Sequence, residues 1–287
     1  MISGFLCLKE NMMLINGKKS NNIAATDRGL AYGDGLFSTI KVEAGRLCLW
    51  PFHLQRLQLG AKCLFFPEVD WRVLTDEVEL LATSLSNKSS AVIKVIITRG
   101  SGGRGYSIEG CSAPLRILSD HDYPHFYQQW QTEGIDIVLC QQQLSINPQL
   151  AGLKTLNRLE QVLIKRELDK LDAPEGIVCD TNGYVIEGCS ANIFLYINQQ
   201  WVTPKLDNCG VKGVKRRQVM ASALKANISI IEKQVSIDDL FNAEAVFLTN
   251  ALMGIVPIKK LQSHHYSTAS FSLIEHIKKV LIEGSHG

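Results

Sequence analysis

Apolar and polar positions along this chain recur in two periods, and the changes of period mark its elements. From Ile40 to Trp50 the pattern predicts two strands about the turn Glu43-Ala44-Gly45. Pro51 to Leu64 then reads as a helix with Leu54, Leu57 and Ala61 on one face. A second helix is expected over Trp71 to Leu85. Ala91 to Thr98 is strand-like, with Ile93, Val95 and Ile97 alternating with Val92, Lys94 and Ile96, and it ends in the glycine-rich Arg99 to Gly105. Leu115 to Leu118 reads as another short strand. The polar, aromatic stretch from His121 to Gln131, with Pro124, is the linker candidate.

Beyond it, Ile135 to Leu139 is an expected strand, and Leu156 to Leu171 an expected helix on the spacing Leu156, Leu159, Leu163. Gly176 to Cys179 and Tyr184 to Glu187 flank Asp180-Thr181-Asn182-Gly183, a hairpin signal containing Asn-Gly. Asn192 to Ile197 pairs with Trp201 to Thr203 across Asn198-Gln199-Gln200. Gly213 precedes a helix running to about Ala226 with Met220, Ala223 and Leu224 apolar, and Ala245 to Thr249 reads as a buried strand. No repeat or heptad run is present. The expectation is an α+β protein of two domains, 1–120 and 132–287, joined by 121–131. Because Met12 and Met13 immediately precede the first strand-like segment, Leu14 to Asn16, residues 1–11 are expected to be an extension dispensable for folding.

At 287 residues and 46% hydrophobic, the chain is long and apolar enough to bury a substantial core. Lysine and arginine number 30 against 28 acids, so no broad electrostatic footprint for nucleic acid or an anionic membrane is expected, and any basic site is local. The eight cysteines stand singly without metal-ligand spacing, which suggests reduced thiols and no metal centre. With no apolar run of bilayer length and no signal-like N-terminus, a cytoplasmic location is expected.

Four segments carry candidate chemistry. Lys154 lies between apolar Leu153 and Leu156, before a helix. An amine among apolar neighbours loses solvation, so its neutral form can attack an aldehyde. A lysine with a packed stem and a solvated head fits the same local pattern. Glu187 follows a strand and opens Glu187-Gly188-Cys189-Ser190-Ala191-Asn192. A carboxylate fixed there can keep a pyridine nitrogen protonated, although a simple turn carboxylate also suits the sequence. Gly210-Val211-Lys212-Gly213-Val214-Lys215 places free backbone N–H groups at a helix start. These suit a phosphate, with Arg56 available to close a clamp; a solvated basic loop is the plainer alternative. Arg99-Gly100-Ser101-Gly102-Gly103-Arg104-Gly105-Tyr106 follows the strand bearing Lys94. It lets guanidinium and backbone approach an anionic ligand; a mobile hairpin loop is the plainer alternative, against which four glycines and two arginines in so short a loop weigh.

Together these pieces resemble the fold-type IV pyridoxal-phosphate enzymes, a family that includes branched-chain and D-amino-acid aminotransferases. The resemblance runs from about Leu14 to at least Pro257. Asp27-Arg28-Gly29-Leu30-Ala31-Tyr32-Gly33-Asp34-Gly35-Leu36-Phe37 is similar to the family's N-terminal motif, and His53-Leu54-Gln55-Arg56-Leu57 to its phosphate-arginine helix. Lys154, Glu187 with Asn192, and the loop at Gly213 follow in the family's order. The segments at Arg104, at Leu153 to Gln161 and at Thr249-Asn250-Ala251-Leu252 resemble lyase members more than aminotransferases.

The resemblance implies a smaller N-terminal α/β sandwich domain and a larger, β-barrel-like C-terminal domain with helices, binding pyridoxal 5'-phosphate. It makes Lys154 the Schiff-base lysine, Glu187 the partner of the pyridine nitrogen, and Arg56 with Val214, Lys215 and Asn250 the phosphate site, Ala251 standing where aminotransferases usually have threonine. It assigns Lys94, Arg104, Tyr106 and Asn250 to a substrate with two carboxylates, and Thr39 to proton transfer alongside Lys154. The implied reaction is conversion of 4-amino-4-deoxychorismate to 4-aminobenzoate and pyruvate by a homodimer. An aminotransferase of the same fold, or a non-catalytic protein that binds the cofactor, are the rival expectations.

Overall fold

The computed structural model describes residues 13–266, 272 and 274–279. They divide into two compact units: one runs to Trp50 and resumes from Ala61 to Tyr123, and the other joins Pro51–Gly60 to the chain from Pro124 onward. In chain order the first stretch holds β1 (Met13–Ile15), β2 (Lys18–Lys19), α1 (Arg28–Tyr32), β3 (Gly35–Glu43), β4 (Arg46–Leu47), α2 (Trp50–Cys63), α3 (Trp71–Ser84), β5 (Ser90–Thr98) and β6 (Leu115–Asp122). Then follow α4 (Phe126–Glu133), β7 (Ile135–Leu139), α5 (Leu159–Lys170), β8 (Gly176–Cys179), β9 (Val185–Gly188), β10 (Asn192–Ile197), β11 (Gln200–Pro204), α6 (Val214–Lys225), β12 (Ile230–Lys233), α7 (Ile237–Phe241), β13 (Ala245–Asn250), β14 (Gly254–Leu261) and β15 (His264–His265).

The first unit is an antiparallel sheet in the order β2-β1-β6-β5-β3-β4. Period-two patterning sorts β3 cleanly: Leu36, Ser38, Ile40 and Val42 are buried, and Phe37, Thr39 and Lys41 are partly exposed. α3 supplies the covering layer. Asp70 caps it by accepting from the N–H of Arg72 and Val73 at 3.1 and 2.9 Å, and Leu74, Val78, Leu81 and Ala82 form its buried stripe.

The second unit is built on a mixed sheet of order β12-β11-β10-β13-β14-β7-β8-β9, with β15 on β14. Its central strands are apolar on both faces. Ile193, Leu195, Val246, Leu248, Val256 and Ile258 fill one core, while Phe194 and Phe247 stack at 4.8 Å in another. No helix among the described residues is long and apolar enough to cross a membrane.

Three local expectations are corrected. β6 runs on to Asp122, because antiparallel pairing with β5 continues to Ala91↔Asp122. The first two residues of the stretch read as linker, His121 and Asp122, are therefore strand, and most of its remainder is α4, whose Tyr127 and Trp130 pack on the second unit's core. α5 begins at Leu159, since Arg158 has non-helical dihedrals (φ −127°, ψ 26°), and its buried positions are Ile164 and Leu168 while Leu159 and Leu163 are exposed. The chain carries two apolar stripes on this helix, and spacing alone does not say which faces inward. On α6, Val219 and Ala223 are buried but Leu224 is exposed. The expected N-terminal extension lies outside the described residues.

Candidate active site

Lys154 sits in the loop between β7 and α5, and that loop is strapped on two sides. Gly152, at φ +79°, donates to the Gly210 carbonyl at 2.9 Å and accepts from the Lys212 N–H at 3.1 Å, so the lysine loop pairs with the segment leading into α6. Arg158 completes the support. Its Nε donates to the Thr155 carbonyl at 3.0 Å, and its Nη2 donates to the Leu153 carbonyl and the Thr155 hydroxyl, both at 3.1 Å.

Glu187 enters from β9, next to an irregularity in the β8–β9 pairing. Its Oε2 accepts from the Val211 N–H at 2.9 Å and from Asn192 Nδ2 at 3.4 Å. Asn192 in turn donates to the Val211 carbonyl at 2.8 Å and accepts from the Gly213 N–H at 3.1 Å, locking the loop that precedes α6. Gly213 has a steric reason to be glycine, since a β-carbon there would run into Asn192 Oδ1. Burial pushes the Glu187 carboxyl up to about 7, with Glu175 adding to the rise while the Val211 N–H, Lys154 and Arg158 oppose it. Glu175 is itself raised by burial. It is held by Ser190, whose hydroxyl donates at 2.6 Å.

α2 contributes His53 and Arg56, one turn apart. Burial lowers Arg56 to about 10, with the charge of Arg158 adding to the effect, and burial followed by the charges of Arg56 and Lys154 puts His53 well below its usual range. His53 is therefore neutral. The site gathers three cationic side chains, Arg56, Lys154 and Arg158, with Glu187 as the buried carboxyl beside Lys154 and Arg158. α6 starts beside it at Gly213–Val214 with no side-chain cap on its first turn. This donor set fits pyridoxal phosphate: an amine for the aldehyde, a buried carboxylate for the pyridine nitrogen, and guanidinium plus helix N–H groups for the phosphate dianion.

The structure thus brings together Lys154, Glu187, Arg56, Val214 and Lys215. Asn250 is committed to its own turn: Oδ1 accepts from the N–H of Leu252 and Met253 at 2.9 and 2.8 Å, and Nδ2 donates to the Ser190 carbonyl at 3.2 Å. Thr39, Lys94, Arg104 and Tyr106 belong to the first unit. There Thr39 and Lys94 are directly opposite on β3 and β5, and Lys94 Nζ lies 5.6 Å from the Phe37 ring centroid. Arg104 and Tyr106 are exposed on a loop tied down by buried Arg28. Arg28 pairs with Asp34 at 3.0 Å and donates to the carbonyls of Gly105, Ser107 and Tyr106 at 2.9, 3.1 and 3.3 Å. Sequence reasoning assigned no role to Arg28, His53, Arg158 or Glu175. The first three lie inside the quoted motifs, and their spacing to Arg56 and Lys154 was the available signal; nothing in the sequence marks Glu175.

A family described as class IV amino-transferase matches residues 35–261, and the chain belongs to it. The chain is 35% identical over 252 residues to an aminodeoxychorismate lyase of Vibrio harveyi, covering 88% of this chain and 92% of that enzyme. It superposes with a TM-score of 0.86 and 35% identity on the crystal structure of 4-amino-4-deoxychorismate lyase from Pseudomonas aeruginosa, covering 93% of this chain and 98% of that one. A putative branched-chain-amino-acid aminotransferase of Methanocaldococcus jannaschii is 29% identical over 251 residues, 85% of each chain.

Proposed function

We propose that this chain is a pyridoxal-phosphate-dependent aminodeoxychorismate lyase, converting 4-amino-4-deoxychorismate to 4-aminobenzoate and pyruvate for folate synthesis. The observation that carries the reading is the 35% identity to the Vibrio lyase across nearly the whole of both chains. When bound, the cofactor supplies an electron sink for the carbon that bears the substrate nitrogen. Lys154 would hold it, and its amine would take the proton from that carbon. Glu187 holds positive charge at the pyridine nitrogen, and Arg56 with the N–H groups of Val214 and Lys215 binds the phosphate. Asn250 shapes the turn beside Ser190 and so contributes through backbone placement. Lys94, Arg104 and Tyr106 are assigned to the substrate's two carboxylates, and the proton needed by the departing enolpyruvyl group to Lys154 or the Thr39 hydroxyl.

We also infer a homodimer, since α5 presents Leu159, Val162 and Leu163 to solvent as an apolar stripe. A cytoplasmic setting suits the seven free thiols among the described residues. The Methanocaldococcus relative makes amino-acid transamination the second reading.

One preparation loaded with cofactor separates the two. Given 4-amino-4-deoxychorismate it is expected to release pyruvate and 4-aminobenzoate in equal amounts, without glutamate-dependent amination of keto acids. Borohydride should fix the cofactor to Lys154, and Lys154→Ala should abolish turnover. Attachment at another lysine, or transamination without pyruvate release, would overturn the proposal.

A further inference from the structure

The supports of Lys154 converge on one side chain. Arg158 lies just outside α5, and its guanidinium reaches back to grip the Leu153 and Thr155 carbonyls on both sides of Lys154, together with the Thr155 hydroxyl. Thr155 is only 2% exposed and Leu153 is buried, so the acceptors lie inside while the guanidinium is partly exposed. α5 itself is anchored at its start and further along. Glu160 accepts from the Ser145 N–H at 2.7 Å, and Glu167 accepts from the N–H groups of Gln141 and Gln142 at 2.7 and 2.9 Å. The grip on Lys154 is thereby referred to an anchored element.

We propose that Arg158 is a positioning residue: its fork of hydrogen bonds holds the peptide units that aim the Lys154 amine. The proposal rests on the pyridoxal-phosphate reading above. A planar guanidinium can serve several acceptors at once, whereas an ammonium supplies the charge without the fork.

Arg158→Lys and Arg158→Met, each loaded with pyridoxal phosphate, test it. Both are expected to retain borohydride-fixable cofactor at Lys154 and to lose roughly 10- to 100-fold in kcat with KM changed by less than about threefold, the pattern of a misplaced reacting group. Thr155→Val deletes one acceptor and keeps the guanidinium. It should lower kcat by a few-fold with KM likewise held, and it carries the test together with Arg158→Lys if Arg158→Met does not fold. Wild-type kcat in Arg158→Lys and Thr155→Val would overturn the proposal. Failure of wild-type protein to fix cofactor at Lys154 would instead bring down the functional reading itself.

Discussion

At Glu187 the balance of burial against charge decides what the side chain is. Burial holds the carboxyl near 7 in the folded chain, far above its ordinary value, so the folded state binds that proton more tightly than the unfolded one. The stabilisation this gives is complete below the usual carboxylate range and is lost as pH rises through about 7. Apoprotein is therefore expected to lose melting temperature between about pH 5 and pH 8 more steeply than Glu187→Gln, whose amide does not titrate; the difference is of order 3 kcal/mol at most. Loading with pyridoxal phosphate should flatten the wild-type dependence, because a cation at the pyridine nitrogen lets the carboxyl ionise inside the fold. Melting curves of both proteins across pH, with and without cofactor, check this, and parallel apoprotein curves would remove Glu187 from the account. Activity gives the companion result: Glu187→Gln should keep its cofactor and lose much of its rate, since an amide does not stabilise a pyridinium as a carboxylate does. At this scale Lys154, Glu187 and Arg56 were legible because each sits in a motif with a chemical reason for its residue type. Glu175 was not, because a lone glutamate before a strand has no local mark and its effect on Glu187 arises only when β8 and β9 pair.

Among the elements, the loop between β5 and β6 bears most directly on specificity. Five of its glycines, Gly100, Gly102, Gly103, Gly105 and Gly110, have positive φ, and at Gly103 a β-carbon would run into the Ser107 carbonyl. The loop is thus a defined conformation, held by buried Arg28 and by Asp34, which also accepts from Arg99 at 2.7 Å. Arg104 and Tyr106 are displayed from it. If Arg104 meets a substrate carboxylate, Arg104→Ala should leave the cofactor's absorbance intact and lower kcat/KM by about two orders of magnitude, with Arg104→Lys recovering only part. Kinetics of Arg104→Ala indistinguishable from wild type would leave the loop a structural feature alone. Element placement was readable wherever one period held, as in α3 and β5, whose expected spans differ from those found by a residue or so. It was misread where two apolar stripes share a helix, as in α5, and where long-range pairing extends a strand through polar residues, as at His121 and Asp122 of β6.

For the whole molecule, the grouping of Pro51–Gly60 with the second unit was not anticipated, because periodicity assigns a helix to its neighbours in sequence and not in space. The same limit applies to assembly. On α5 the residues left outside the core are Leu159, Val162 and Leu163, exposed by 79%, 60% and 50%. Positions i, i+3 and i+4 make one contiguous face, so the stripe is a patch and not scattered apolar side chains. A second copy of the chain is the partner proposed for it, and Val162→Glu is the appropriate probe. Val162 is outside the buried set of α5, so the substitution leaves the packing of Ile164 and Leu168 untouched while placing a charge where an apolar contact would be desolvated. Wild-type protein is expected to sediment at twice the 31.9 kDa chain mass, and Val162→Glu at the chain mass with an unchanged far-ultraviolet spectrum. A wild-type monomer would end the dimer proposal, and a Val162→Glu dimer would move the interface away from α5. Because the stripe begins at Leu159, the residue after Arg158, a dissociated variant should also reveal whether the Lys154 loop depends on assembly. Loss of borohydride-fixable cofactor along with the dimer would show that it does, and retention would show that the second unit holds its site alone.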